Sequence, residues 1–145
     1  MQSGGIMDFN LYVSDVWLYD WSRGNWSQAA SLNSIRSDHL CTSLDGGRAV
    51  VAGGYGGHDE HLLSMEIYEP ETDTWYFSQD LPEKPQILEN YYTYELVNWD
   101  EKILYVNYKN FWLFENGQWI KIGQRDDVNP FDYAFLVPDD FVPGC

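Results

Sequence analysis

Basic residues are scarce in this 145-residue chain, which has eight Lys and Arg against 23 Asp and Glu and a formal net charge of −15. A surface of this sign repels phosphate backbones, so the composition argues against nucleic-acid binding. It argues in the same way against anionic membrane surfaces. The electrostatic field would attract a basic protein partner. The acidity also has a simpler interpretation, in which it only keeps an aromatic-rich sheet protein in solution.

Long apolar runs are missing as well. No stretch approaches the roughly eighteen apolar residues that a membrane-spanning helix requires. The first residues show neither a charged segment nor an apolar segment of the kind that a signal peptide contains, so none is expected in this chain. The compartment stays open on these grounds, and the cytoplasm is the favoured assignment.

Cysteine is nearly absent, with Cys41 in the first half of the chain and Cys145 at its last position. Two cysteines so far apart form neither a disulfide framework nor a zinc motif. A bridge between them stays open for a secreted parent protein. The favoured expectation is a buried free thiol at Cys41.

Glycine, in contrast, occurs in pairs, as in the stretch VVAGGYGG over residues 50–57. Glycine-rich loops cradle phosphate when they open a helix. Residues 63–69 (LSMEIYE) instead alternate apolar and polar side chains, which is the period of a half-buried strand. No lysine follows the glycines, so we interpret the pairs as punctuation between strands and expect no cofactor.

The landmarks around these glycines recur at a fixed spacing. Three of them return 49 residues later, in the pairs Gly4 and Gly53, Tyr19 and Tyr68, and Trp26 and Trp75. A third copy is degenerate. It has Trp119 in the place of Trp75 and Asn107-Tyr108 in the place of the glycine pair. Recurrence at this period indicates stacked supersecondary units.

Each unit consists of an apolar run, a glycine pair, and then Tyr and Trp about seven residues apart. This pattern resembles the kelch repeat, from Gly4 to about Val137. Arg36-Ser37-Asp38-His39 is also similar to the Arg-x-x-His that often opens the inner strand of a kelch blade. The resemblance implies an all-β fold, a partial kelch-type β-propeller of four-stranded antiparallel blades. A closed ring is not expected, because propellers have at least about four blades.

One blade can be predicted strand by strand, over residues 39–44, 48–53, 63–69 and 74–78. The sequence Asp45-Gly46-Gly47 predicts a tight turn between the first two of these strands. The glycine pair at 53 and 54 predicts a close approach by a neighbouring backbone or ring, and Tyr68 and Trp75 are the expected rings.

Along the chain we expect the C-terminal part of a first blade (1–29), a second blade (36–78), a degenerate third blade (89–122), a lone inner strand (130–137) and a tail (138–145). The first blade is expected to lack its second strand, because no apolar run precedes Gly4 and Gly5. The N-terminus is then a break in a longer repeat protein. The strand at 130–137 could close a ring with the incomplete first blade, which would put Cys145 near a natural end.

The most site-like cluster is His58-Asp59-Glu60-His61, since two imidazoles and two carboxylates can bind a transition metal. Side chains three positions apart point to opposite faces of a strand, however, and the segment falls in a predicted loop. A solvated loop is therefore favoured, and no metal ligand or catalytic residue is assigned. The chain is interpreted as a non-enzyme. A galactose-oxidase-like enzyme, which the same resemblance allows, would hold copper with tyrosines and histidines, and no such setting is identified here.

The predicted function is protein–protein interaction, as a binding platform or as the substrate-recognition part of a larger protein. The resemblance places docking on loops between strands, here residues 30–38 and 56–62. Trp112 is either an anchor on a distinct surface or part of a drifted blade. The alternatives are a fragment of a secreted or oxidase-like enzyme, or a truncated piece without independent function. Open blade edges predict self-association. The candidate partner-binding residues are Arg36, His39, His58, Asp59, His61 and Trp112.

Overall fold

The computed structural model describes residues 2–6, 12–57, 60–85, 87–88, 91–92 and 94–125. Within these ranges the chain forms thirteen β-strands and one short 3-10 turn, Asp45–Gly47. The all-β prediction is confirmed. The predicted strand at 130–137 and the tail at 138–145 lie outside the described residues.

The strands form three antiparallel sheets that follow one another along the chain. The first sheet consists of β1 (Gln2–Ile6), β2 (Tyr12–Asp20) and β3 (Asn25–Ala29). The second sheet consists of β4 (Leu40–Ser43), β5 (Ala49–Ala52), β6 (Met65–Glu69) and β7 (Thr74–Phe77). A two-stranded ribbon, β8 (Ile87–Leu88) and β9 (Tyr91–Tyr92), precedes the third sheet. The third sheet consists of β10 (Tyr94–Trp99), β11 (Lys102–Asn107), β12 (Asn110–Glu115) and β13 (Gln118–Gln124).

Each sheet is a meander in which strands adjacent in sequence are adjacent in space. The second and third sheets have four strands each, and the described sheets do not close on themselves. This arrangement is that of a partial propeller made of antiparallel blades, as the resemblance implied. The strands predicted for the second sheet are confirmed to within one or two residues at each end.

One expectation about the first sheet is wrong. Residues 2–6 form a strand, β1, which pairs with β2 through partners that include Gln2 with Trp17 and Ile6 with Tyr12. The register shifts between Ser3 and Gly5. β1 therefore forms without an apolar run before the glycines, and its pairing with β2 is made by Gln2, Ser3, Gly5 and Ile6.

The second sheet is covered on both faces, and β5 shows how. Its four residues are all buried, and alternate side chains point to opposite sides of a strand. Ala49 and Val51 pack against the first sheet, whereas Val50 and Ala52 pack against the third. Burial on both faces explains why this strand is an uninterrupted apolar run.

The core therefore has two layers. The layer between the first and second sheets contains Val16, Ala29, Leu32, Ala49, Val51, Tyr68 and Trp75. The layer between the second and third sheets contains Leu44, Val50, Ala52, Met65, Ile67, Leu81, Leu96, Ile103 and Tyr105. Stacked sheets that share cores in this way hold the loops at their ends in fixed positions.

The close approach predicted at the glycine pair exists, and of the two expected kinds of neighbour it is a backbone segment and not a ring. Gly54 has a φ of +84°, and a Cβ there would collide with the carbonyl oxygen of Ser37 and lie 2.9 Å from the Cα of His39. The neighbour is thus the backbone that leads into β4. The expectation that the rings of Tyr68 and Trp75 come close is wrong, because both rings pack in the layer toward the first sheet.

Cys41 lies in β4 and is disulfide-bonded, so the expectation of a free thiol is wrong. In the part of the chain that the structure describes, no helix is long and apolar enough to cross a bilayer.

Candidate functional site

The two predicted docking loops meet at one end of the second sheet. Ser37 and Tyr55 exchange backbone hydrogen bonds of 2.9 Å in both directions, and Tyr55 also forms a bridge with His61. A Cβ placed on Gly57 would lie 3.6 Å from Cδ1 of Ile35. The connection that enters β4 and the connection between β5 and β6 therefore form a single surface.

We call this the loop surface and define it by Ile35, Tyr55, Glu60, His61 and Leu62. Ile35 is 44% exposed. The exposed His61 ring lies 4.5 Å from the Tyr55 ring, between centroids, at an interplanar angle of 47°. The Glu60 side chain is exposed, and Leu62 is half-buried. The loop surface thus combines an apolar and aromatic centre with an acidic margin.

A buried carboxylate braces the loop surface from below. Both oxygens of Glu66 are used, because its Oε2 accepts the backbone N–H of Asn33 at 2.7 Å and its Oε1 accepts that of Ser34 at 3.1 Å. The same Oε1 accepts a hydrogen bond from Nη2 of Arg36 at 2.8 Å. Glu66 lies in β6, so these bonds tie the entering loop to the middle of the second sheet.

Arg36 completes this brace on the other loop. Its Nη1 donates to the backbone carbonyls of Gly53 and Ser64 at 2.8 and 3.1 Å, and its Nη2 donates to the Ser64 hydroxyl at 3.0 Å. The side chain is completely buried. Arg36 therefore positions the loops, and it does not present its charge to solvent.

His39 follows the same loop and is partly buried. Burial, and then the neighbouring Arg36 guanidinium, lower the pKa of His39 to about 4. The imidazole is therefore neutral at physiological pH. It could contact a partner as a polar or aromatic group, but it carries no positive charge there.

The cluster at residues 58–61 is described only in part. His58 and Asp59 lie outside the described residues, and the structure places Glu60 and His61 on the loop surface. Among the residues that are described, no group of three or more His, Cys, Asp or Glu side chains is arranged to hold a metal ion.

Trp112 lies in β12 and contacts the connection that precedes the third sheet. Its Nε1 donates to Oε1 of Glu83 at 2.9 Å, and Asn110 Nδ2 donates to the same carboxylate at 3.0 Å. The Lys121 ammonium lies 5.9 Å from the centroid of the indole. The half-buried Trp112 thus holds the segment around Glu83 against the third sheet. These contacts are separate from the contacts that build the loop surface.

Sequence reasoning missed Glu66, Glu83 and Asn33. Glu66 occupies an apparently solvent-facing position of an alternating strand, and only the three-dimensional meeting of the two loops shows its role. For Glu83, Trp112 was singled out in the sequence, but nothing there indicated which carboxylate accepts its indole N–H.

Comparison with known proteins adds a second line of observation. No family model matches the chain. An F-box/kelch-repeat protein of Arabidopsis thaliana is 41% identical over 68 residues, which is 47% of this chain and 18% of that protein. SKIP30, an F-box/kelch-repeat protein of the same plant, is 34% identical over 77 residues, or 53% of this chain and 22% of SKIP30.

A kelch-repeat protein of a second organism is also similar to this chain. The kelch repeat-containing protein kel-10 of Caenorhabditis elegans is 34% identical over 59 residues, which is 41% of this chain and 10% of kel-10. The matched region spans only about a tenth to a fifth of the length of these three relatives.

Proposed function

Because this chain is built of kelch repeats, we propose that it is a protein-interaction module that binds its partner through the loop surface. The observation that carries this proposal is the meeting of two separate loops in one exposed surface with an internal brace. Loops held by a rigid sheet scaffold are a common place for binding residues. A braced surface also loses little conformational entropy when a partner docks.

In this proposal the chain is the substrate-recognition part of a longer protein. The relatives that carry both kelch repeats and an F-box in their names are about five times longer than the region that matches. The proposal assigns no catalytic residue and no cofactor to the chain. Stoichiometric copper in the purified protein would instead favour the oxidase-like alternative.

The partner that fits this surface is basic with an apolar anchor. The exposed Ile35 and the Tyr55–His61 pair offer apolar contact, and the chain carries a net charge of −15. Complementary charge speeds encounter and excludes acidic competitors. His39 and Trp112 are proposed to act at the margin of this contact or outside it, and Arg36 is proposed to act only through loop position.

Site-specific photo-crosslinking tests the proposal. A photoreactive phenylalanine at position 35 should capture a discrete partner from cells, and adding His61→Ala to the same protein should remove that capture. The matched control places the same crosslinker at Ile120, which is similarly exposed at 48% but lies on the third sheet. Capture of the same proteins from both positions would overturn the proposal.

A second interaction is favoured by the outer face of the first sheet. Trp17 and Trp26 are 41% and 52% exposed there, although Trp26 is the repeat equivalent of Trp75. Trp75 is buried against the first sheet, and its Nε1 donates to the Ala30 carbonyl at 2.9 Å. We therefore propose that another blade, from the same longer protein or from a second copy, covers this face.

Light scattering tests this second interaction. The wild-type chain should self-associate at micromolar concentration, and the paired variant Trp17→Ser and Trp26→Ser should shift it toward the monomer. A wild-type chain that is monomeric at high concentration would contradict association between copies.

A further inference from the structure

A cleft of about 540 Å³ opens between the second and third sheets. The turn between β4 and β5, the turn between β10 and β11 and the turn between β12 and β13 surround its mouth. In antiparallel meanders these turns lie at the end opposite the connection between β5 and β6. The cleft and the loop surface are therefore at opposite ends of the stack.

The floor of the cleft is apolar and its wall is aromatic. The buried side chains of Leu44, Ile67 and Ile103 line it together with Phe114. The Tyr76 ring, which is 46% exposed, forms one wall from the edge strand β7. The cleft thus has an apolar floor with polar and charged residues at its mouth, and its volume lies within the range of about 300–1,000 Å³ that is typical of ligand sites.

The mouth of the cleft is acidic. Asp100 and Glu101 occupy the turn between β10 and β11. Two cations also lie at the mouth: Lys102 Nζ is 2.9 Å from Glu115 Oε1, and Arg48, whose Nε donates to the backbone carbonyl of Asp45 at 3.2 Å, acts electrostatically on Glu101. Counting Asp45, four carboxyl groups face two cations, which leaves an excess of negative charge.

Two of these carboxyl groups meet across the gap between the sheets. Glu101 shares a side-chain hydrogen bond with Asp45, which raises the pKa of Glu101 above its ordinary value. Two neighbouring carboxylates repel each other unless a proton or a cation lies between them. A positively charged group at the mouth would relieve this repulsion.

We propose that the cleft binds the side chain of an arginine or lysine from a basic protein partner, with the aliphatic stem along Tyr76 and the apolar floor and the cationic head at Glu101. This inference rests on the proposed function, since it assigns a second contact to the partner. Long basic side chains bury their stems on apolar surface and keep their heads at polar groups. A guanidinium or ammonium group also gains from the face of a tyrosine ring. A bare metal ion would gain nothing from the apolar floor.

A short peptide tests the cleft without knowledge of the partner. The probe is acetyl-Leu-Arg-Leu-amide, and its match is the same peptide with citrulline, which has nearly the same shape and no charge. Two-dimensional NMR on the full chain should show shifts of the amides of Glu101 and Gly117 with the arginine peptide and not with the citrulline peptide. Equal shifts with both peptides would overturn the proposal.

Charge variants separate the cleft from general acidity. Glu101→Gln should weaken the binding of the arginine peptide by about tenfold, as expected when one member of a charge pair is removed at the rim of a binding site. Glu71→Gln removes the same charge from an exposed turn at the same end of the second sheet and should have no effect. Equal losses in both variants would mean non-specific attraction and would overturn the site. Displacement of the arginine peptide by spermidine would also mean non-specific attraction and would overturn the site.

pH gives an independent readout. Protons compete with the cation for Glu101, so the affinity of the peptide should fall as the pH drops through the raised pKa of Glu101. If the cleft fails these tests while crosslinking at position 35 succeeds, the proposed function stands without this second contact.

Discussion

The guanidinium of Arg36 lies 2.8 Å from the carboxylate of Glu66, and both side chains are completely buried beneath the loop surface. Two buried charges cost desolvation energy, which is offset only when their remaining hydrogen-bonding groups also find partners. Here the backbone of both loops and the Ser64 hydroxyl supply partners for the carboxylate and for both terminal nitrogens of Arg36, whereas Nε of Arg36 is buried without one. The pair therefore couples the shape of the candidate docking surface to the interior of the second sheet.

Glu66→Gln should destabilise the protein by about 3–5 kcal/mol, because it leaves the Arg36 charge buried without a counter-charge. Urea unfolding gives the free energy. The control is Arg23→Gln, which breaks the exposed ion pair of Arg23 and Asp20 at 3.6 Å and should cost less than about 1 kcal/mol. Similar small costs in both variants would show that the buried pair does not stabilise the fold. The double variant Arg36→Met and Glu66→Leu should recover part of the loss.

Gly54→Ala should cost more than Gly46→Ala, although both glycines have positive φ, +84° and +70°. A methyl group at Gly46 meets nothing within 4 Å, so only the backbone strain of about 1 kcal/mol applies. At Gly54 the methyl group meets the backbone of Ser37 and His39, and the loop has to move. Thermal unfolding compares the two variants, and equal losses would refute a role for close backbone approach.

Trp75→Ala should destabilise the protein by about 3–5 kcal/mol, as expected for a large aromatic residue removed from a core. Its repeat equivalent Trp26 is 52% exposed, and Trp26→Ala should cost about 1 kcal/mol or less in the monomer. Denaturation at low protein concentration measures both. If Trp26→Ala is as costly as Trp75→Ala, the outer face of the first sheet is covered in solution.

Stability should fall between about pH 6.5 and pH 4 through His39. Its folded pKa of about 4 is below its ordinary 6.5, so the unfolded chain binds this proton first. The stabilisation is complete above about pH 6.5 and is lost as the pH falls toward 4, with an upper limit of about 3 kcal/mol. Urea unfolding at several pH values checks this. The His39→Gln variant should lack this component, and an unchanged pH profile would exclude it.

The sequence predicted the repeated framework well because that framework depends on local patterns. The alternation in residues 63–69 and the turn at 45–47 reflect only strand period and turn chemistry. The candidate loops could also be located from the positions of the strands around them. What joins these loops could not be predicted, since the contact between Ile35 and Gly57 spans two connections of unknown conformation.

Buried polar side chains could not be predicted from the sequence. Arg36 was chosen as a candidate partner-binding residue on the Arg-x-x-His pattern, and charged side chains are seldom completely buried. The opposite holds when a carboxylate such as Glu66 arrives from another strand. The first sheet failed in another way: β1 has no apolar run in its sequence, so its pairing with β2 was not predicted.

The second sheet has a packed neighbour on each face, whereas the first sheet exposes Trp17 and Trp26 on one side. In such a stack each sheet contacts only its neighbours. Its stability is then approximately the sum of the stabilities of the sheets and of the interfaces between them, and each added sheet contributes one more interface. The stack frays from its ends, and its middle sheet opens last. Such a stack should also tolerate the gain or loss of a whole repeat of about 49 residues far better than the loss of Trp75, which packs between the first and second sheets.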